Sequence, residues 1–225
     1  MNLLLRLLLI PGRIKHRWEN RNRLRVTADI VASLKKQCED AETHGLKNHA
    51  VIYNAGLFVV LLEQDLSAYS TALYYANSKY HQQFAARGMA VLLYEGAEDI
   101  PTVFGKNYRE ALRDLQLADS WLQALNASTA GFNKFKQEHA TFLKDIRNYV
   151  GAHREQNALA QLKVLESLDH MAVYRLGTTF SEPLRSLVNF QIALLQYVKH
   201  PAVLLSEAVK AVEQDNLVEK KGSNL

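Results

Sequence analysis

Arg147, Asn148 and His153 fall in one short run, Ile146-Arg147-Asn148-Tyr149-Val150-Gly151-Ala152-His153-Arg154. An imidazole exchanges a proton near neutral pH. A guanidinium holds a phosphate by two parallel hydrogen bonds and stabilises charge that grows on it. A carboxamide both donates and accepts, so it can orient the same group. Together these are the parts for cleaving RNA through its own 2′-hydroxyl, a reaction that needs no metal. Arg154 supplies a second phosphate contact. The same residue types also have a structural use. Arg147 can pair with Asp145 or Glu155, and His153 can cap the end of a helix.

The element that must position them is an amphipathic helix. Phe132, Phe135, His139, Phe142/Leu143, Ile146 and Tyr149/Val150 recur at helical spacing and predict one buried stripe. Continued at about 100° per residue, that helix places His153 near the centre of the stripe and Arg147 at its edge, with Arg154 almost in line with Arg147. Gly151 shares the arginine lane and leaves a gap through which a backbone or a phosphate can approach.

The rest of the chain reads the same way. Helical patterns are expected over about 18–44, 47–75, 77–98, 106–126, 130–150, 156–175, 183–198 and 202–219. Gly45 and Gly105 read as stops, Ser128-Thr129 as an N-terminal cap, and Pro183 and Pro201 as first-turn prolines. Pro11-Gly12 reads as the end of the first apolar segment. Val59-Val60-Leu61-Leu62 is the only strand-like run, and it lies inside a helical pattern. The expected architecture is all-α, an up-and-down helical bundle with an extra N-terminal helical segment. Residues 1–45 form a basic appendage, 46–219 the bundle domain and 220–225 a frayed tail. Of the 225 residues 48% are apolar and 22% charged, with four prolines and ten glycines, which excludes disordered, collagen-like and many-turned β architectures.

Charge is unevenly spread. The net charge is +4, yet residues 1–25 carry seven basic side chains against Glu19 alone, so the remainder is slightly acidic. Arg13, Lys15, Arg17 and Arg21 are therefore candidate RNA contacts. The run MNLLLRLLLI is too short to span a bilayer, which takes roughly 20 residues, and it lacks the pattern of a secretory signal. Packing on the body is expected of it, and membrane contact is not. Cys38 is the single cysteine, which excludes an intrachain disulfide and a cysteine zinc site and makes a reducing, cytoplasmic location the default. Asp40/His44 and Glu166/His170 have metal-like spacing, but two ligands make no site, so neither a metal nor another cofactor is expected. Tyr69, Tyr74, Tyr75 and Tyr80 read as a partly buried helix face. No dinucleotide fingerprint, phosphate loop, nucleophile elbow or zinc-protease motif is present.

The run from Ile146 to Arg154 resembles the Arg-polar-x(3–5)-His signature of the HEPN superfamily, in the flavour of its AbiU2-like members. The resemblance rests on about nine residues in a helical context. It implies an all-α, commonly dimeric protein, RNA binding, and metal-independent endoribonuclease chemistry of toxin–antitoxin or phage-defence type. It also implies an active site built where two copies of the motif meet across a homodimer, with Arg147 and His153 as the catalytic pair and Asn148 in support. An antitoxin protein would then be a partner. Other members of the superfamily are inactive or act as binding modules, so a helical interaction or scaffold module is the alternative, and peripheral membrane binding through the apolar and basic N-terminus a further one.

Overall fold

The computed structural model describes residues 10–148 and 158–222, which form eight helices and no strand. They are α1 (Ile10–Thr43), α2 (Lys47–Tyr75), α3 (Lys79–Val103), α4 (Lys106–Asp114), α5 (Asp119–Ile146), α6 (Ala158–Ser167), α7 (His170–Val198) and α8 (Pro201–Gly222). Four of them make the bundle. α2 packs on α3, α3 on α5, α5 on α7, and α7 closes the ring on α2, with α3 and α7 touching across the middle. α1 lies along α2, and α4 packs against α2 at one end.

The reason is visible in α7. Val173, Gly177, Phe180, Leu184, Leu187, Gln191, Leu194 and Val198 follow one another at spacings of three or four, and all are buried. Burying side chains of this size is worth about 1.5–3 kcal/mol each, before the entropy of ordering them is counted. Phe180 is central, its ring 5.1 Å from Phe132 and 5.0 Å from Phe135 in edge-to-face geometry. Across the middle, α3 offers mostly small residues: Ala85, Ala86, Ala90, Gly96 and Ala97 are all buried. At the crossing itself a Cβ on Gly177 would stand 1.9 Å from Met89 Cε, so only glycine fits there without moving the methionine. A second close approach sets Gly131 of α5 against the ring of Pro183, where a Cβ would come within 2.7 Å of Pro183 Cβ. Among the described residues α2 is the helix long and apolar enough to cross a membrane by length and composition, and its apolar residues Ile52, Val59, Leu62 and Leu66 are core.

Two helices end in the same way. Gly45, with φ of 68°, follows α1; its N–H bonds Glu42 O and that of Leu46 bonds Ala41 O. Gln116, with φ of 57°, follows α4; its N–H bonds Arg113 O and that of Leu117 bonds Leu112 O. Both are Schellman terminations, one on the expected glycine and one on a residue that carries a Cβ into the left-handed region. Ser78 caps α3 by accepting from His81 N, and Asp169 caps α7 by accepting from Met171 N.

Several boundaries differ from the sequence expectation. Ser128 and Thr129 start no helix: both hydroxyls donate to Leu125 O inside α5, which satisfies them within the turn before. The break lies twelve residues before Ser128, at Gln116. Pro183 sits inside α7 and not in a first turn. Pro201 does open α8. Pro11 and Gly12 lie within α1, where an early proline is tolerated because its missing N–H has no partner in a first turn. The expected helix over 156–175 is two helices, parted at the Asp169 cap.

Candidate functional site

Arg147 follows α5 directly, where the backbone widens into a π turn over Arg147 and Asn148. Its guanidinium lies 5.6 Å from the ring centroid of Tyr94, and its Nε is 3.5 Å from Glu95 Oε1. Both contacts come from α3, a turn of helix that also sends Glu98 to Lys136 of α5 at 2.7 Å. Two carboxylates on α3 thus meet two cations, Lys136 within α5 and Arg147 at its end. The arginine is one-third exposed, and its Nε has no hydrogen bond of normal length. It is therefore seated but incompletely satisfied, and an anion with better geometry can take the place of Glu95. The alternative pairing with Asp145 is replaced by this one between helices.

Asn148 is exposed beside it. His153 and Arg154 lie outside the described residues, as does the Glu155 alternative. Arg21 is exposed on α1. Arg13, Lys15 and Arg17 lie on α1 with side chains outside the described set. The stripe that leads to Arg147 follows the expected pattern at Phe132, Phe135, Leu143 and Ile146, which are buried. Phe142 instead is 44% exposed. His139 is half-buried with its ring 4.9 Å from that of Phe135.

Sequence reasoning missed the residues that adjoin Arg147. A depression of about 630 Å³ on the α2–α3 face is lined by Asp65, Tyr69, Phe84, Arg87, Gly88 and Glu95, and Glu95 is the residue that Arg147 meets. Phe84 is 54% exposed, with the Arg87 guanidinium 5.3 Å from its ring centroid. An exposed ring with a guanidinium on its face is a stacking platform for an unpaired base. Gly88 lets the Tyr69 ring lie against the α3 backbone, because a Cβ there would stand 2.2 Å from Tyr69 Cε1. The signal was present in sequence: Phe84, Gly88 and Glu95 recur at spacings of four and seven, and so share a helix face. It did not stand out because that face is exposed, and exposed faces carry no hydrophobic periodicity.

The tyrosine cluster divides. Tyr69 and Tyr75 are half-buried, whereas Tyr74 is 45% and Tyr80 72% exposed, so the partly buried face includes Tyr69 and Tyr75 and leaves out the other two. The metal-like pairs come apart. Glu166 and His170 belong to α6 and α7, and His44 Nδ1 turns to the carbonyl of Asp40 at 2.7 Å. Among the described residues no group of three metal-ligating side chains occurs. Comparison with protein-family profiles, curated proteins and solved structures finds no match to this chain.

Proposed function

We propose that the chain is a HEPN-like RNA-binding protein and a metal-independent endoribonuclease, with Arg147, Asn148 and His153 of two copies forming the site in a homodimer. The observation that supports this reading is the seat of Arg147. A carboxylate, Glu95, stands where a phosphate would bind, and the exposed Phe84–Arg87 platform adjoins it across the same depression. A phosphate offers the same pair of acceptor oxygens as a carboxylate and displaces Glu95 when RNA lies in the depression. The neighbouring base then stacks on Phe84.

Cleavage on this reading is a transesterification. The 2′-oxygen forms a bond to phosphorus as its proton passes to the imidazole of one His153. The bond from phosphorus to the 5′-oxygen breaks as the second copy's His153, already protonated, delivers a proton to it. Arg147 stabilises the charge on the non-bridging oxygens, and Asn148 orients them. The products are a 2′,3′-cyclic phosphate and a free 5′-hydroxyl. The setting that goes with this reading is a cytoplasmic toxin or defence enzyme restrained by an antitoxin protein.

The test is incubation of the purified chain with mixed RNA in EDTA, beside the double variant Arg147→Ala/His153→Ala. Cleavage by the wild type alone, with cyclic phosphate ends, is the expected result. Equal cleavage by a folded double variant removes the site assignment. Cleavage by neither favours a helical interaction module, for which exposed Phe84, Tyr80 and Phe142 supply the contact surface.

A further inference from the structure

A second site lies on another face, between α1, α2 and α7, and owes nothing to the RNA reading. Two cavities there, of about 480 and about 500 Å³, meet end to end at Glu63 and Val188, which line both. The first is apolar, walled by Leu34, Val59, Val60 and Leu195. Its rim carries Val26, Ile30 and Ile192, which are 57%, 43% and 50% exposed. Large aliphatic side chains around a cleft that stays open to water are surface that an apolar occupant would cover.

The second cavity is of the opposite character. Arg23 and Arg185 line it with Ser67, Thr71, Tyr74 and Tyr174. Arg23 donates to Ser67 Oγ, which holds its guanidinium at the wall. Arg185 is exposed and takes part in no ion pair or hydrogen bond among the described residues. The hydroxyls of Ser70 and Ser181 donate to carbonyls of their own helices, so the donors left for an occupant are the Arg185 guanidinium and the hydroxyls of Thr71 and Tyr174, beside the charge of Arg23. Two guanidiniums at one end of an apolar cleft match a molecule with an anionic head and an apolar chain. Glu63 at the junction repels an anion, so it keeps the head on the arginine side and admits only the chain beyond it.

We propose that this composite cleft binds an anionic alkyl amphiphile, for which an alkyl phosphate is the probe, its head between Arg23 and Arg185 and its chain against Ile30, Leu34, Val60 and Leu195. The lipid or soluble origin of such a molecule shares one chemistry. The experiment titrates the full chain calorimetrically with decyl phosphate below its micelle concentration, beside decanol and inorganic phosphate. Decyl phosphate is expected to bind once per chain and at least about tenfold more tightly than either fragment, because head and chain act together. Arg185→Gln, which removes no contact of the fold, is expected to weaken decyl phosphate by about tenfold while leaving decanol unchanged. Val60→Trp, which fills the apolar half, is expected to abolish binding of both chain-bearing probes, with the circular dichroism spectrum unchanged.

Equal binding of decanol and decyl phosphate, an unchanged affinity in Arg185→Gln, or no binding by the wild type would each overturn the proposal. Sedimentation with phosphatidylcholine vesicles, with and without phosphatidic acid, identifies the source. Arginine-dependent binding to the acidic vesicles supports a membrane lipid. Binding of decyl phosphate without vesicle binding supports a free amphiphile.

Discussion

Tyr108 is fully buried and Gln191 is 2% exposed, and no polar atom of either side chain has a hydrogen-bond partner of normal geometry. Burial pushes the Tyr108 hydroxyl above the ordinary phenol range, and the Gln191 amide opposes that rise. Leaving such groups unpaired in a core costs about 1–3 kcal/mol, whereas replacing both with apolar groups of like shape is close to neutral. The double variant Tyr108→Phe/Gln191→Leu is therefore expected to melt at or above the wild-type temperature. A loss of more than about 1 kcal/mol would show that the two bond each other in solution. At this scale the sequence was only partly legible. Arg147 and Asn148 stood out as candidates because their side-chain types and spacing suit phosphate chemistry. Glu95, the actual partner of Arg147, was not, since it lies on another helix and sequence spacing says nothing of contacts between helices.

At the scale of elements, α8 is held by polar links. Glu207 reaches back to the start of α2, where one carboxylate oxygen accepts from Asn48 N at 2.8 Å and the other meets His49 Nδ1. The second ring nitrogen of His49 meets Val198 O at 3.1 Å, and Lys210 donates to Asp114 O at 2.9 Å. Burial alone would raise the Glu207 carboxyl, but the hydrogen bonds from His49 and from the Asn48 N–H outweigh it and hold it below the usual glutamate value. A carboxyl lowered in the folded state contributes stability above its unfolded value and loses it as pH falls through the folded one. The wild type should therefore lose its advantage over Glu207→Gln as pH falls from the ordinary glutamate value of about 4.3 through the lower folded one, when the two are followed by thermal melting. Near neutrality the variant should be less stable by about 1–3 kcal/mol. A constant difference across that range would remove the carboxylate from the link. Helix ends, too, were legible only in part. Gly45 announces its Schellman turn because glycine takes a positive φ without penalty. Gln116 adopts the same conformation with nothing in Leu115-Gln116-Leu117-Ala118 to signal it, and so the boundary was drawn at the wrong polar pair.

For the whole molecule, fold class was the most legible property, because stripes such as that of α7 fix helix and burial together. The electrostatics argue at the same scale. If the basic N-terminal region carries phosphate contacts, RNA affinity falls steeply with salt. The variant with Arg13, Lys15, Arg17 and Arg21 all changed to Gln should then show a shallower slope, by roughly 0.7 for each of these that touches a single-stranded phosphate. An unchanged slope would move the nucleic-acid surface away from α1. The meeting of Gly131 with Pro183 has a different consequence, one of motion. Sliding α5 along α7 by one helical turn would bring Ala127 or Phe135 to the place where even a lone Cβ at Gly131 would stand 2.7 Å from the proline ring. The contact works as a mechanical stop. A one-turn slide between these two helices is blocked at this point, and α5 and α7 are held to one register.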